Sequence, residues 1–223
     1  MGPVFRRGRR APLSEEPSPA EADGEGSTAM AETWLVVGLG NPGPRYELTR
    51  HNAGQLVVDE LAGRRGEPFR AHRANARVAE TWLRPGGPKL VLAKPNSFMN
   101  VSGGPVSALA AYYGIPSDRV VIVHDELDLP FDTLKLKTGG GHGGHNGVRD
   151  VAKALGSPDF TRVRVGIGRP PGRQDPADWV LDPFSSVERA ALPNLVGDAA
   201  DAVEQLIDEG LLAAQQRHHA PRG

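Results

Sequence analysis

The spacing of apolar and polar residues predicts an alternation of strands and helices that begins near Thr33. The apolar run at 34–37 is short enough for a buried strand, and the segment 52–64 has the spacing of a helix. Two further predicted strands, at 78–83 and 90–93, flank a Pro-Gly-Gly-Pro turn whose residues favour a hairpin. The first half of the chain therefore predicts a strand, a helix and a hairpin, in that order.

The second half continues the alternation. Ser102 is a candidate cap for a helix whose apolar face contains Val106 and Leu109, and Gly114 is placed to end that helix. The remaining predicted elements are a buried strand at 120–123, an amphipathic strand at 133–138, a helix at 148–155, a half-exposed strand at 162–167 and a closing helix at 192–212.

This order of elements predicts the fold class. We expect a single α/β domain, in which a mixed, twisted β-sheet is flanked by helices on both faces, in three layers. Ligands of such folds bind outside the carboxyl ends of the strands. Polar loops follow three predicted strands, at 41–51, 96–100 and 125–128, so we expect them to meet there, joined by the glycine-rich loop 139–147.

Composition separates this domain from the two ends of the chain. Residues 1–32 are rich in Pro, Glu, Ser, Ala and Gly and nearly lack large apolar residues, so we expect a disordered tail. Met30 stands just before the first strand, which suggests a dispensable tail or a start at Met30. The expected boundaries are a tail at 1–32, a folded domain at 33–214 and a frayed tail at 215–223.

Composition also removes several classes of protein. The chain has no cysteine, which excludes disulfides, thiolate zinc sites and cysteine nucleophiles and suits a reducing cytosol. No apolar run approaches the ~20 residues that span a bilayer. No apolar segment follows the arginines near the N-terminus, so a secretory signal is not expected.

Charge is distributed unevenly, although the net charge is only −1. Residues 133–173 contain eight basic and two acidic residues, a local charge of +6 over 41 positions. A basic face of this kind is a footprint for phosphate groups. The eight basic residues are Lys135, Lys137, Arg149, Lys153, Arg162, Arg164, Arg169 and Arg173.

The loop after the first strand superficially resembles a dinucleotide-binding loop. Gly38, Gly40 and Gly43 have the required spacing. However, Pro42 and Pro44 remove backbone donors where a pyrophosphate would need them. The sequence therefore disfavours nucleotide binding at this loop.

His51, in the same loop, is the best candidate for a general base, because an imidazole changes charge near neutral pH. Asp125 follows a buried strand and is the natural carboxylate to fix its tautomer. The structural alternatives are a surface histidine in a turn and an acidic residue in a solvated loop. The catalytic hypothesis requires the two side chains to touch.

Other kinds of catalysis lack candidates. A G-x-S-x-G motif is missing, and so is the metal-binding motif H-E-x-x-H. His142 and His145 are three residues apart, but their glycine loop offers no helix to align them on a metal. What remains is water as the nucleophile, activated by a histidine, with neutral amide side chains supplying hydrogen bonds, while a metal site is disfavoured.

Neutral amides and one aromatic residue complete the candidates. Asn41, Asn100 and Asn146 offer donors and acceptors that can hold a carbonyl or a ribose hydroxyl. Phe98, if exposed, offers a stacking face for a base. The structural alternatives are turn asparagines and a core phenylalanine.

Five motifs resemble the bacterial peptidyl-tRNA hydrolase family. They are GLGNPGPRYELTRHNAG, PNSFMNVSG, HDELDLP, GGGHGGHNG and RVRVGIGRP, which occur in the family's order and spacing. The resemblance covers roughly residues 34–215. Ser97 stands where the family more usually has Thr, and the N-terminal extension is the larger departure.

The resemblance implies a metal-free, cofactor-free, cytoplasmic monomer that acts on peptidyl-tRNA and not at a membrane. Such an enzyme cleaves the ester between a peptide, or an N-blocked aminoacyl group, and the terminal ribose of tRNA. It thereby recycles tRNA from aborted or stalled translation.

The resemblance also implies roles for individual residues. His51 would accept a proton from the attacking water, Asp125 would stabilise its basic form, and Asn41 would help to reject aminoacyl-tRNA with a free amine. Four residues would line the acceptor end and the peptide, with the two asparagines near the oxyanion, and two cations would contact phosphates. The four are Tyr46, Phe98, Asn100 and Asn146, and the two cations are Lys137 and Arg164.

Two other function classes remain open at this point. One is an RNA-binding protein on the same scaffold that has lost catalysis, and the other is a hydrolase of small esters. Retention of Asn41, His51, Asp125 and Asn146 argues against the first. The basic segment argues against the second.

Overall fold

The computed structural model describes residues 1–2 and 32–219. The chain divides into Met1–Met30 and Ala31–Gly223, and every element below belongs to the second unit. The expected tail at 1–32 and the suggested start at Met30 therefore lie outside the described residues, apart from positions 1, 2 and 32.

A mixed sheet of seven strands forms the centre of the described chain. The strands are β1 (Thr33–Gly38), β2 (Arg70–His72), β3 (Ala76–Trp82), β4 (Lys89–Pro95), β5 (Val120–Glu126), β6 (Leu134–Thr138) and β7 (Thr161–Gly166). They lie in the order β2-β3-β4-β1-β5-β7-β6. β4, β1, β5 and β7 are parallel to one another, whereas β2, β3 and β6 pair antiparallel with their neighbours.

Helices cover both faces of this sheet, as predicted. They are α1 (Ala53–Gly63), α2 (Gly103–Tyr113), α3 (Asn146–Leu155), α4 (Pro176–Trp179), α5 (Ser186–Glu209) and α6 (Leu211–His218). α1, α5 and α6 enclose one apolar core, which Val36 of β1 enters, and α2 and α3 enclose a second core with Leu35 and Val37. Within residues 1–2 and 32–219, no helix has both the length and the apolar character needed to cross a membrane.

The two ends of α2 differ in how well they agree with the sequence: the predicted end at Gly114 is confirmed, and the predicted cap at Ser102 is not. Gly114 closes α2 in the left-handed conformation, at φ 65°. Ser102 does not cap α2, because its hydroxyl donates to the carbonyl of Met99. The carboxylate of Asp150, in α3, instead accepts the Gly103 N–H at 2.7 Å. The predicted cap is therefore wrong, since a tertiary partner satisfies the donor.

β7 also differs from the prediction of a half-exposed strand. Arg162 is only 3% exposed. Its guanidinium donates to the carbonyls of Gly139, Gly140 and Gly141, the last at 2.8 Å. The charge is thus used to hold the glycine loop.

The expected fraying from residue 215 is corrected for residues 215–218, which belong to α6. The amide of Gln215 donates to the carbonyl of Leu136 at 3.0 Å, and Nε2 of His219 accepts the Leu136 N–H at 2.7 Å. These bonds attach the helix to β6. Residues 220–223 lie outside the described chain.

Candidate active site

The loops after β1, β4 and β5 meet the start of α3 at the carboxyl ends of the parallel strands. They line a cleft of about 650 Å³. Seven predicted site residues line it together: Asn41, Tyr46, His51, Phe98, Asn100, Asp125 and Asn146.

Two glycines let the start of α1 approach β1 and β5 closely. A Cβ at Gly38 would collide with the carbonyl of Gly54, and a Cβ at Gly54 would collide with the carbonyl of Val123. The N–H of Leu39 donates to the same Val123 oxygen at 3.0 Å. His51 lies in a 3₁₀ turn directly before α1, so this packing holds it at the end of β5.

His51 contacts Asp125 through one ring nitrogen. Nδ1 lies 3.0 Å from each carboxylate oxygen. The side chain of His51 is 14% exposed and that of Asp125 only 2%. Because an ionised carboxylate only accepts, Nδ1–H is the donor and Nε2 of the neutral ring keeps its lone pair. This is the tautomer that a general base requires.

Burial and charge act in opposite directions on this pair. Burial lowers the pKa of His51, but the charge of Asp125 and its hydrogen bond outweigh burial and raise the pKa above its ordinary value. Burial raises the pKa of Asp125, but the positive charge that His51 and His145 carry when protonated, with the hydrogen bonds from both rings, lowers it far below its usual range. Asp125 therefore stays ionised over the whole range in which His51 titrates.

His145 is a second partner of Asp125 that the sequence analysis missed. Its Nε2 lies 2.9 Å from Oδ1 of Asp125, and its Nδ1 accepts the Val148 N–H at 3.3 Å. Because Nδ1 is an acceptor, the neutral ring has its proton on Nε2 and donates it to Asp125. The one signal in the sequence was its place just before a predicted helix, where a side-chain acceptor caps the first turn.

His124 supports this arrangement as a buried, neutral ring. Its centroid lies 4.6 Å from that of His145, and its Nδ1 lies 2.6 Å from the carbonyl oxygen of Asp125. Burial, with the neighbouring His145, lowers the pKa of His124 well below its ordinary value. Its Nε2 has no hydrogen-bond partner among the described residues, which suits an uncharged ring.

His51, Asp125 and His145 also qualify by distance as a group of metal ligands, since one ligand atom from each lies within 4.8 Å of the others. Their hydrogen bonds argue against that use. A cation bound to Nε2 of His145 would displace the proton from that nitrogen, and the neutral ring would then carry its proton on Nδ1. That Nδ1–H would face the Val148 N–H, so two donors would oppose each other. The three side chains fit one another better than they fit a metal.

Asn41 joins two of the loops that form the cleft. Its Oδ1 accepts the Met99 N–H at 2.8 Å. Its own backbone N–H and carbonyl both bond to the side-chain amide of Asn52, at 2.9 Å each. The Nδ2 group is the donor that remains for Asn41 to offer in the cleft.

Tyr46 and Phe98 form an aromatic edge of the cleft. Phe98 is 55% exposed, which rules out the core alternative, and the two rings meet edge to face with centroids 6.3 Å apart. Asn100 and Asn146 are exposed in the same cleft. The edge therefore offers a stacking surface beside two free carboxamides.

Another part of the wall comes from a segment that the sequence analysis left unassigned. Pro176, Ala177, Val180 and Leu181, in α4 and directly after it, line the cleft with Leu127. The cleft thus combines polar groups with an apolar wall, as is usual for ligand sites.

Lys137 and Arg164 lie outside the lining of the cleft, on β6 and β7. Lys135 pairs across the strands with Arg164, and Lys137 pairs with Arg162, so the four side chains share one face. We call these four residues the cationic face. The carbonyls of the glycine loop hold Arg162, so the like charges of this face that favour a bound anion are mainly those of the two lysines and Arg164. Arg164 also pairs with Glu126, a cleft residue, at 2.9 Å.

Comparison with known proteins agrees with the resemblance. The family profile described as peptidyl-tRNA hydrolase matches residues 35–222. The chain is 63% identical over 190 residues to the peptidyl-tRNA hydrolase of Pseudarthrobacter chlorophenolicus, which covers 85% of this chain and 97% of that protein. It is 64% identical over 190 residues to that of Leifsonia xyli subsp. xyli, covering 85% and 98%. The crystal structure of peptidyl-tRNA hydrolase from Acinetobacter baumannii matches with a TM-score of 0.79 and 34% identity, over 86% of this chain and 97% of that chain.

Proposed function

The chain belongs to the peptidyl-tRNA hydrolase family, and from this premise we propose how its cleft cleaves the ester between a peptide and the 3′-terminal ribose of tRNA. The observation that supports the proposal most directly is the contact of His51 Nδ1 with the buried carboxylate of Asp125. That contact leaves Nε2 as a base at the wall of the cleft.

His51 acts on water. Nε2 accepts a proton from a water molecule while the water oxygen bonds to the ester carbonyl carbon. The tetrahedral intermediate then expels the ribose oxygen, which takes the proton back from Nε2. The products are a peptide with a free carboxyl group and a tRNA with a free ribose hydroxyl. Acid–base catalysis of this kind contributes ~10²–10⁴-fold to the rate.

Asp125 and the asparagines stabilise the charges that form. The carboxylate of Asp125 stabilises the imidazolium of His51 in the intermediate. Asn100 and Asn146 donate to the developing oxyanion through their carboxamide N–H groups. Neither contribution requires a metal, and the hydrogen bonds among His51, Asp125 and His145 support a metal-independent reaction.

Asn41 selects for a blocked amine. Its Oδ1 is occupied by Met99, so it meets the substrate with the Nδ2 donor. The amide carbonyl of a peptidyl or N-acetylated substrate accepts that donor. The free ammonium of an aminoacyl-tRNA has only donors and leaves Asn41 unpaired.

The tRNA lies along the aromatic edge and the cationic face. Tyr46 and Phe98 stack against the acceptor end, while Lys137 and Arg164 contact phosphates. Backbone contacts give affinity that depends on salt and carries little sequence information, as a hydrolase of many tRNAs requires. We also propose that the enzyme is a cytoplasmic monomer that recycles tRNA from stalled translation, and gel filtration tests the oligomeric state.

The decisive experiment offers the enzyme N-acetylated and free aminoacyl-tRNA, each with and without a chelator. We expect cleavage of the blocked form alone, unaffected by the chelator. Equal cleavage of both forms would contradict the role of Asn41, and loss of cleavage with the chelator would contradict metal independence. Binding of tRNA without cleavage of either form would favour the non-catalytic RNA-binding alternative.

A further inference from the structure

The catalytic loop pairs with the segment that follows α4. The N–H of His51 donates to the carbonyl of Val180 at 2.8 Å, and the N–H of Arg50 donates to Asp182 at 3.2 Å. One residue earlier, Thr49 forms a β-bridge with Pro183. This short antiparallel ladder joins the backbone of the proposed base to the wall of the cleft.

The side chain of Arg50 closes the same contact. Arg50 is 3% exposed. Its guanidinium donates to the carbonyl of Pro183 at 3.0 Å, to that of Asp182 at 3.3 Å and to Glu188 of α5 at 2.7 Å. A buried guanidinium with planar, forked donors fixes its partners in direction as well as in distance.

Trp179 holds the guanidinium from another side. The guanidinium carbon lies 3.4 Å from the centroid of the indole ring. The indole N–H donates to the carbonyl of Gly168 at 2.9 Å, which fixes the ring in turn. Trp179 is the last residue of α4, and Val180 and Leu181 of the cleft wall follow it directly.

Glu188 completes the arrangement and has a second role. It forms a capping box with Ser185 at the start of α5. Arg50 therefore connects three parts of the molecule: the turn that contains His51, the apolar wall after α4, and the first turn of the longest described helix.

We propose that Arg50 is a positioning residue for the hydrolysis: it holds His51 against Asp125 and fixes the wall at Val180 and Leu181. The inference rests on the proposed function, in which His51 is the base. Arg50 touches neither water nor substrate in this role. Its removal lets the turn before α1 shift, and a shift of about 1 Å in a reacting group costs on the order of 10²-fold in rate.

Arg65 provides a matched control. It donates to the backbone carbonyls of Leu61, Trp82 and Leu83 and to Glu204 of α5, so it resembles Arg50 in the number and kind of its partners. It follows the carboxyl end of α1, whereas Arg50 precedes the amino end. Loss of Arg65 removes a similar network at a distance from the cleft.

The test compares Arg50→Ala and Arg50→Lys with Arg65→Ala and Arg65→Lys. For each variant we would measure kcat and KM on N-acetylated aminoacyl-tRNA, thermal unfolding, and the pKa of the His51 imidazole by NMR. For Arg50→Ala we expect kcat to fall by about 10²-fold with a smaller change in KM. We also expect a lower pKa of His51, because the ring loses its contact with Asp125. Arg50→Lys should lie between this variant and the wild type, since lysine keeps the charge but not the fork.

The Arg65 variants should lose stability without lowering the pKa of His51 or the kcat of the folded fraction. If the Arg50 variants behave in the same way, the proposal is wrong. If Arg50→Ala does not fold, the same measurements on Arg50→Lys and Trp179→Leu test the proposal. Unchanged kcat and an unchanged pKa of His51 in both variants would overturn it. The titration needs no substrate, so it tests the positioning even if the wild type proves inactive on the blocked tRNA.

Discussion

Ionisable side chains serve opposite purposes in two regions of the molecule. One is the Asp125 group, which consists of Asp125, His51 and His145, and the other is the cationic face of β6 and β7. Asp125 is buried, and both of its histidine partners are fixed by hydrogen bonds of 2.9–3.0 Å. On the cationic face, by contrast, Lys135 and Lys137 lie opposite arginines, so cations oppose cations. A buried charge with close partners fixes geometry for a reaction, whereas like charges placed side by side on a surface attract an anionic ligand.

This difference predicts different kinetics for the two regions. Changes in the Asp125 group should lower kcat or shift its pH dependence while tRNA still binds. Changes on the cationic face should weaken binding and its salt dependence while the bound substrate still reacts. Variants of the two regions test whether that separation holds.

The largest effect is expected for His51→Ala. This change removes Nε2, the proposed acceptor of the proton of the attacking water, so turnover of N-acetylated aminoacyl-tRNA should fall by ~10²–10⁴-fold. Binding of uncharged tRNA should change little, because the cationic face is intact. Single-turnover kinetics and a filter-binding assay measure the two quantities.

His142→Ala is the matched control, since His142 is an exposed histidine of the glycine loop whose Nδ1 only accepts the Gly144 N–H. It should retain wild-type turnover. Near-normal turnover in His51→Ala would remove His51 from the reaction and the catalytic role from the Asp125 group.

The next largest effect is expected for Asp125→Asn. The asparagine can donate to Nδ1 of His51, which then holds its proton on Nε2, so we expect kcat to fall by about 10²-fold or more. The pH profile is the sharper measurement. In the wild type the neutral base forms only above its raised pKa, so kcat/KM should rise with pH through a midpoint above about 6.5.

In Asp125→Asn the charge that raises the pKa of His51 is gone, and burial alone should move that midpoint below its wild-type position. Asp118→Asn, an exposed change away from the cleft, should leave the profile in place. If the midpoint does not move in Asp125→Asn, the rise of kcat/KM with pH does not reflect the titration of His51.

The fold was predictable because its signals are local. The apolar run of β1, the glycine turn before β4 and Gly114 after α2 each specify their element without help from distant residues. The meeting of the polar loops followed from the parallel strands, since their carboxyl ends share one edge of the sheet. His51 and Asp125 were brought together by that rule.

The missed features depend on contacts between distant positions. His145 reaches Asp125 only because the glycine loop folds back over the end of β5, and a periodicity argument had no means to find this. Arg162 alternates with apolar residues as an exposed residue would, yet three carbonyls of that loop bury it. Ser102 lost its capping role to Asp150, a residue of another helix.

A moderate effect is expected on the cationic face for Lys137→Ala and Arg164→Ala. Each should raise KM and lower kcat to a smaller extent. Each should also reduce the slope of log KM against log salt concentration by about one, the amount expected for the loss of one phosphate contact. The effect of Arg164→Ala should be the smaller one, because Glu126 already neutralises part of its charge. Lys89→Ala is the control, since Lys89 pairs with Glu80 at the other end of the sheet.

An unchanged salt slope in both variants would place the phosphates elsewhere. A fall in kcat as large as the rise in KM would instead show that the cationic face also orients the ester, which would break the separation between the two regions.

The smallest effect is expected for His145→Asn. Asparagine is a good N-cap, so it preserves the bond to the Val148 N–H and the stability of α3, but its shorter side chain gives up the donor to Asp125. The carboxylate then has more of its charge available to His51, which raises the pKa of His51. A hydrogen bond to a charged group contributes ~1.5–3 kcal/mol, and one pKa unit corresponds to ~1.4 kcal/mol. Only a part of the energy of the lost bond acts on His51, so we expect its pKa to rise by about one unit or less.

The direction of this shift separates two roles for His145. If it shares the charge of Asp125, the midpoint of kcat/KM moves to higher pH in His145→Asn, opposite to Asp125→Asn, while the rate at high pH stays close to that of the wild type. If it mainly holds Asp125 in place, its loss weakens the contact with His51, and the midpoint moves to lower pH together with a fall in kcat. We expect the first result, because Asp125 is buried and still has His51 as a partner at 3.0 Å.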